Sequence, residues 1–231
     1  MKALLLAPLF LALASCATSR GFDRAKLRGD MNHSNLTTEE DIRKVLALKA
    51  QIKPPFKLAV YCEQDQRSGW RRKESEWTMT EKAELLKFTT EPQFKNIISD
   101  TIFINEAITE GKTNKDIRLA AARAGADAVL IVKATADTDH YNNPLSITYA
   151  AIIPTIFIPG SVEDALYMTN ASLWDVRNQF LYLSVDAEAT ARQIRPAVFI
   201  NSDHAIQEAK RQAIPLLRTE IAQRVLAVSK Q

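Results

Sequence analysis

The chain has 231 residues, 46% of them hydrophobic, 25% charged and 7% aromatic, with six Gly and nine Pro. That composition excludes disordered, collagen-like and low-complexity classes and fits one domain or a small pair. Thirty Lys and Arg against twenty-seven Asp and Glu give a net charge of +3, too small and too evenly spread for a nucleic-acid footprint.

Met1-Lys2 supplies a short positive start, and Ala3 to Ala14 is an uncharged apolar run. Twelve apolar residues are too few for a membrane-spanning helix but suit the central region of a secretory signal. Leu13-Ala14-Ser15-Cys16 then fits a bacterial lipobox: a branched apolar residue, two small residues and the cysteine that receives the lipid. The order follows from the chemistry, because the thiol must be acylated at the membrane face before cleavage between small residues. Residues 1–15 are therefore expected to be a lipoprotein signal peptide and Cys16 the lipidation site. Lys2 is the only charged residue among them, so their loss lowers the charge to +2. Acyl chains at roughly 0.8 kcal/mol per CH₂ would make the attachment essentially permanent. Ala17, in place of Asp, points to the outer membrane, with the domain in the periplasm. The absence of a later run of eighteen apolar residues suggests that the remainder is soluble and tethered by lipid alone.

Residues 16–36 are polar and mixed in charge and read as the tether, leaving 37–231 as a single domain of periplasmic type. Thr37 and Glu40 have capping-box spacing, opening a helix that should run to about Ile52 before Pro54-Pro55. Phe56 to Cys62 alternates and reads as the first strand, with Cys62 sharing an apolar face with Phe56, Leu58 and Val60. With Cys16 taken by lipid, Cys62 has no disulfide partner and is expected to be a buried structural thiol. Glu63 to Trp77 reads as a charged loop. Within it, Trp70-Arg71-Arg72-Lys73 puts one aromatic beside three cations, either a solvated loop or a patch for lipid headgroups or an anionic glycan.

Thr78 and Glu81 form a second capping box, and Ile97–Ile104 is β-rich. Thr113 to Asp116 should cap a helix that Gly125 closes in a left-handed turn, after which Ala126–Val132 enters a third strand. Its continuous apolar run suits a strand covered on both faces, hence a central one. Leu145–Gly160 is strongly apolar and interrupted by Pro154 and Pro159. It is either a core crossover or an exposed element that docks a partner, with Ile153, Ile156 and Phe157 as interface candidates. Leu166–Val176 and Phe180–Ala191 form a hairpin about Arg177-Asn178-Gln179, and Asn201 or Ser202 caps a last long helix in which Pro215 should introduce a kink. The expected fold is α/β (α+β): a mixed sheet with a β-α-β-α-β core, a C-terminal hairpin and helices packed on it.

The segments Gly125-Ala126-Asp127-Ala128-Val129-Leu130 and Ala171-Ser172-Leu173-Trp174-Asp175-Val176 resemble the periplasmic αβ domain of envelope lipoproteins. That plan is shared by curli-secretion lipoproteins, lipoprotein activators of penicillin-binding proteins and the amino-terminal domain of the Tol–Pal translocation protein. Over residues 125–176 the chain is more similar to rhombotarget lipoproteins, with Leu145-Ser146, Phe157-Ile158-Pro159-Gly160 and Trp174-Asp175-Val176 in the same order. Those proteins usually end in a small-residue motif, a membrane helix and basic residues. This sequence ends Leu226-Ala227-Val228-Ser229-Lys230-Gln231, so only the domain likeness is expected to carry over.

Catalytic signatures are weak. Gly111-Lys112-Thr113 stands where a phosphate loop would, but such a loop needs glycine at 106, where Glu106 would repel phosphate. Asp137, Asp139 and His140 follow the central strand and are candidates for a divalent metal, against the simpler reading of a solvated turn. No Gly-x-Ser-x-Gly elbow occurs, and His204 reads as a surface residue near a helix start. The sequence therefore points to a non-catalytic envelope lipoprotein. It would be attached to the membrane through Cys16, bind an envelope protein or assemble with itself, and need no cofactor and no nucleic acid. The alternatives are a metal-dependent enzyme of unrecognised type and an oligomeric secretion-channel component.

Overall fold

The computed structural model describes residues 18–31, 38–63, 76–150 and 154–229. Helices α1 (Arg24–Met31) and α2 (Glu39–Leu46) precede β1 (Phe56–Cys62), α3 (Met79–Leu85), β2 (Ile98–Phe103), α4 (Asn114–Arg123) and β3 (Ala128–Asn142). Then come the short helix α5 (Pro154–Phe157), β4 (Ser161–Asp175), β5 (Leu181–Arg195) and α6 (Ser202–Val228). The five strands form one sheet in the order β2-β1-β3-β4-β5. β1 is parallel to β2 and β3, whereas β3, β4 and β5 run antiparallel in turn. The mixed sheet, its β-α-β-α-β core and the central place of β3 are as the apolar patterning implied.

Local chemistry sets the ends of the elements. Thr78 and Thr113 each accept from the backbone N–H three residues on, and Glu81 and Asp116 answer the cap, two reciprocal boxes. The first box forms one residue later than expected. Thr38, with Asp41, caps α2, and Thr37 lies outside the described residues. α2 also stops at Leu46 and not near Ile52, because its face carries no buried side chain to prolong it. Gly125, at φ +70°, ends α4 in a left-handed turn: its N–H donates to Ala122 O (2.9 Å) and that of Ala126 to Ala121 O (3.0 Å). α6 runs through Pro215 without interruption.

Two faces of the sheet are covered differently. On one face, alternate residues of β1 and β3 (Phe56, Leu58, Val60, Cys62, Leu130, Val132) meet Leu85, Phe88 and Phe94 and the second half of α6. The first half of α6 presents Ala205, Ala209 and Ala213 to Ala165, Tyr167 and Ala191, where small side chains let the helix lie close to β4 and β5. On the other face α4 covers Ala59, Tyr61, Val129 and Ile131. Beside it Leu27 of α1 packs on Leu166 and Met168.

Two segments differ from the sequence reading. β3 does not stop near Val132 but continues to Asn142, paired throughout with β4. The solvated turn expected at Asp137 to His140 is part of this strand, whose alternation is masked by its polarity. Ala134 and Ala136 pack toward α6, while Lys133 and Asp139, on the opposite face, bond to the N-terminal segment. That segment is the second difference. Within the stretch read as a tether, residues 18–31 are folded on the sheet, since Leu27 is 2% exposed and Lys133 Nζ donates to Met31 O at 3.3 Å.

Candidate functional site

Polar side chains gather at the end of the sheet where β3 finishes, β4 begins and β5 ends, a row in which Asn142 pairs with Ser161 and Ser161 with Arg195. Three sequence candidates fall on this stretch of β3. Successive side chains of a strand point to opposite faces, so Asp137 and Asp139 share one face and His140 takes the other. The three cannot converge on one ion. Among the described residues no group of three or more His, Cys, Asp and Glu side chains could hold a metal.

Asp139 has a different partner. Its Oδ2 accepts from Ser19 Oγ (2.6 Å), Arg20 N (2.9 Å) and Gly21 N (2.9 Å), binding the N-terminal segment to the sheet. The hydroxyl of Ser19 foremost, then the two amides and the Arg20 charge, hold the carboxyl below the usual aspartate range against the opposing effect of burial. Gly21 stands at φ +72°, a left-handed bend that lets two successive amides face one carboxylate oxygen. Sequence reasoning missed this clamp. Its only signal was an acidic residue at even spacing from Lys133, Thr135 and Asp137, which marks a face but not its occupant.

On the opposite face His140 Nδ1 lies 2.9 Å from Glu163 Oε2. The Glu163 side chain is buried and that of His140 is half exposed. Next across the sheet Gln193 pairs with Glu163 and its amide meets His204 of α6. A carboxylate that orients an imidazole is half of a general-base arrangement. The neighbouring hydroxyl of Ser161, however, donates to Asn142 Oδ1 (3.1 Å). The row therefore binds strands and helix together and holds no assembled nucleophile. His204 is exposed, as a residue near a helix start should be.

Beside these polar groups the end of the sheet is apolar and exposed. The connection from β3 to β4 contributes Leu145, Ile156 and Phe157, the last 74% exposed, the end of β5 adds Ile194, and the passage from β5 to α6 adds Val198 and Phe199. The two passages meet, since α5 packs on the turn Ala197–Phe199 and on the turn Pro144–Ala150. Of the interface candidates, Ile156 and Phe157 stand on this surface, and Ile153 lies outside the described residues. So do Cys16 and the Trp70–Lys73 cluster.

Elsewhere the candidates are structural. Lys112 Nζ pairs with Glu106 Oε1 at 3.2 Å and Thr113 is occupied as the cap of α4, so the segment has no phosphate cradle. Cys62 is buried, and burial pushes its thiol up to about 12 despite the nearby cations Lys82 and Lys210. A cavity of about 380 Å³ opens at the far end of the sheet among Ile52, Phe56, Leu173, Tyr182 and Val225. The hydroxyl of Tyr182, the polar group at its edge, already accepts from Gln51 and Ile52 N and donates to Asp175. Among the described residues, no helix is long and apolar enough to cross a membrane.

No family model matches the chain, and no curated protein is similar to it at a significant level. Several solved structures are similar in shape. A hypothetical protein of Chlamydia trachomatis is 9% identical with a TM-score of 0.39, covering 74% of this chain and 99% of its own. A minor lipoprotein of Acinetobacter baumannii is 9% identical with a TM-score of 0.37, covering 74% and 90%. A homologue of a putative neuraminyllactose-binding hemagglutinin from Helicobacter pylori is 10% identical with a TM-score of 0.41, covering 79% and 93%. Likeness at this level identifies neither a ligand nor an activity.

Proposed function

We propose that this chain is a bacterial envelope lipoprotein, similar in its domain to rhombotarget lipoproteins, that works without catalysis. Its αβ domain recognises an envelope protein or a second copy of itself while Cys16 holds it to a membrane, most simply the outer membrane from its periplasmic side. The observation that carries this reading is the lipobox Leu13-Ala14-Ser15-Cys16 standing three residues before a segment clamped to the sheet by Asp139. A short, docked connection between lipid and domain suits a module held at a fixed place on a membrane and serves no obvious purpose in a freely diffusing enzyme. The dispersal of Asp137, Asp139 and His140 over two faces removes the motivation for a metal-dependent reaction.

Cross-linking in intact envelopes followed by affinity purification tests the binding role. The expected result is the repeated recovery of one partner or of a defined oligomer with the wild-type chain, and its loss with Cys16→Ser. Repeated recovery of neither from the wild type contradicts it.

A further inference from the structure

The clamp at Asp139 fixes Ser19 to Gly21, and so limits how far from them a lipid on Cys16 could reach. Cys16 is three residues from Ser19, so their Cα atoms are at most about 11 Å apart. Ser19 itself is bonded to a residue three positions from the end of β3, roughly 10 Å along the strand. β3 has fifteen residues and spans about 50 Å. An acyl group on Cys16 would therefore be held by the reach of the chain nearer to this end of the sheet than to the other. That same end carries the exposed apolar surface of the two passages, which no described segment of the chain covers. Arg20, in the clamped segment, and Arg195, the last residue of β5, are both exposed.

We infer that this end of the domain seats directly in the lipid surface that holds Cys16. Leu145, Ile156, Phe157, Ile194, Val198 and Phe199 enter the boundary between headgroups and acyl chains, and Arg20 and Arg195 meet anionic headgroups. The proposal rests on the anchoring of Cys16 put forward above. Its physical basis is that an apolar face held within a few residues of a bilayer finds lipid at far higher local concentration than any dilute partner. Basic residues at such a rim are attracted to anionic lipids. The lipid and the seat act as two attachments, so the domain stands upright with its sheet running away from the membrane and the far end, near the Arg177–Gln179 turn, presented outward.

The test uses the full mature chain, purified from envelopes and reconstituted into vesicles of phosphatidylethanolamine and phosphatidylglycerol. Phe157→Cys and, as a second seat position, Val198→Cys carry an environment-sensitive fluorophore. Lys95→Cys, exposed just before β2 at the far end, is the reference, and the wild type shows whether the buried Cys62 takes any label. At 157 and 198 the label should be several-fold less accessible to aqueous iodide than at 95 and should be quenched by doxyl-labelled lipid, with the reverse pattern at 95. Equal iodide access at all three positions overturns the seat. So does shielding from iodide without quenching by doxyl lipid, which means that a second copy or another protein covers the patch. Mass spectrometry of the same sample separates the two claims. An unacylated Cys16 counts against the anchor, whereas an acylated Cys16 with iodide-accessible labels at 157 and 198 overturns the seat alone.

Discussion

At the residue scale the carboxylate of Asp139 is the point at which the N-terminal segment joins the fold, through three donors on one oxygen. Bonds to a charged acceptor contribute about 1.5–3 kcal/mol each in favourable cases. Asp139→Ala should therefore release residues 18–21 while leaving the sheet intact. Hydrogen exchange at the Arg20 and Gly21 amides should quicken at least tenfold, with β3 and β4 unchanged. The same clamp is pH-sensitive. The carboxyl is held below its unfolded value, so its contribution is complete above about pH 4 and is lost as the pH falls through the lower, folded value. Exchange at those two amides should rise, beyond the intrinsic pH effect, only in that acidic window. Cys62 provides a second expectation at this scale. Its thiol is buried and raised to about 12, so the native protein at pH 8 should leave it unmodified by an aromatic disulfide reagent, and denaturant should expose it.

At the element scale the connection Leu145–Gly160 separates core from surface. Phe157 is largely exposed, so Phe157→Asp should shift stability by less than about 0.5 kcal/mol, within a few degrees of the wild-type melting temperature. Leu217 of α6 is fully buried, and Leu217→Ala should cost about 2–5 kcal/mol. Comparable destabilisation by both would place the connection in the core. The strands and helices of the parallel half were legible because each carried its own local signal: alternation in Phe56–Cys62, the boxes at Thr78 and Thr113, the left-handed turn at Gly125. The second half of β3 was not, because one face is polar and the other offers only Ala134 and Ala136 before Thr138 and His140, so no hydrophobic period rises above the background. The docking of residues 18–31 is a tertiary event with a single buried apolar residue, Leu27, and composition cannot reveal it. Asp127 and Asp175, which stand in the two segments that resemble envelope lipoproteins in sequence, have structural roles. Asp127 accepts from Lys57 N (3.0 Å) and pairs with Arg177, and buried Asp175 accepts from Arg177 N (2.8 Å) and Tyr182 Oη (3.0 Å). They stitch the β4–β5 turn to β1, a role that concerns the fold and says nothing of what it binds.

At the scale of the whole molecule, helices cover one face of the sheet and the β1, β3 and β4 part of the other, the far end has a modest apolar recess, and the near end gathers the clamp, the polar row and the exposed apolar passages. Under the proposed seat, the near end would meet lipid and the far end would be left for recognition. The account stands on the chemistry of Cys16. The most direct test is mass spectrometry of the amino-terminal peptide of the protein isolated from envelopes. Acylated Cys16 at the new terminus, with residues 1–15 removed, is the expected result, and Cys16→Ser should accumulate as an uncleaved precursor. An intact Met1 on the wild-type chain, or an unmodified terminus produced by cleavage elsewhere, would contradict it.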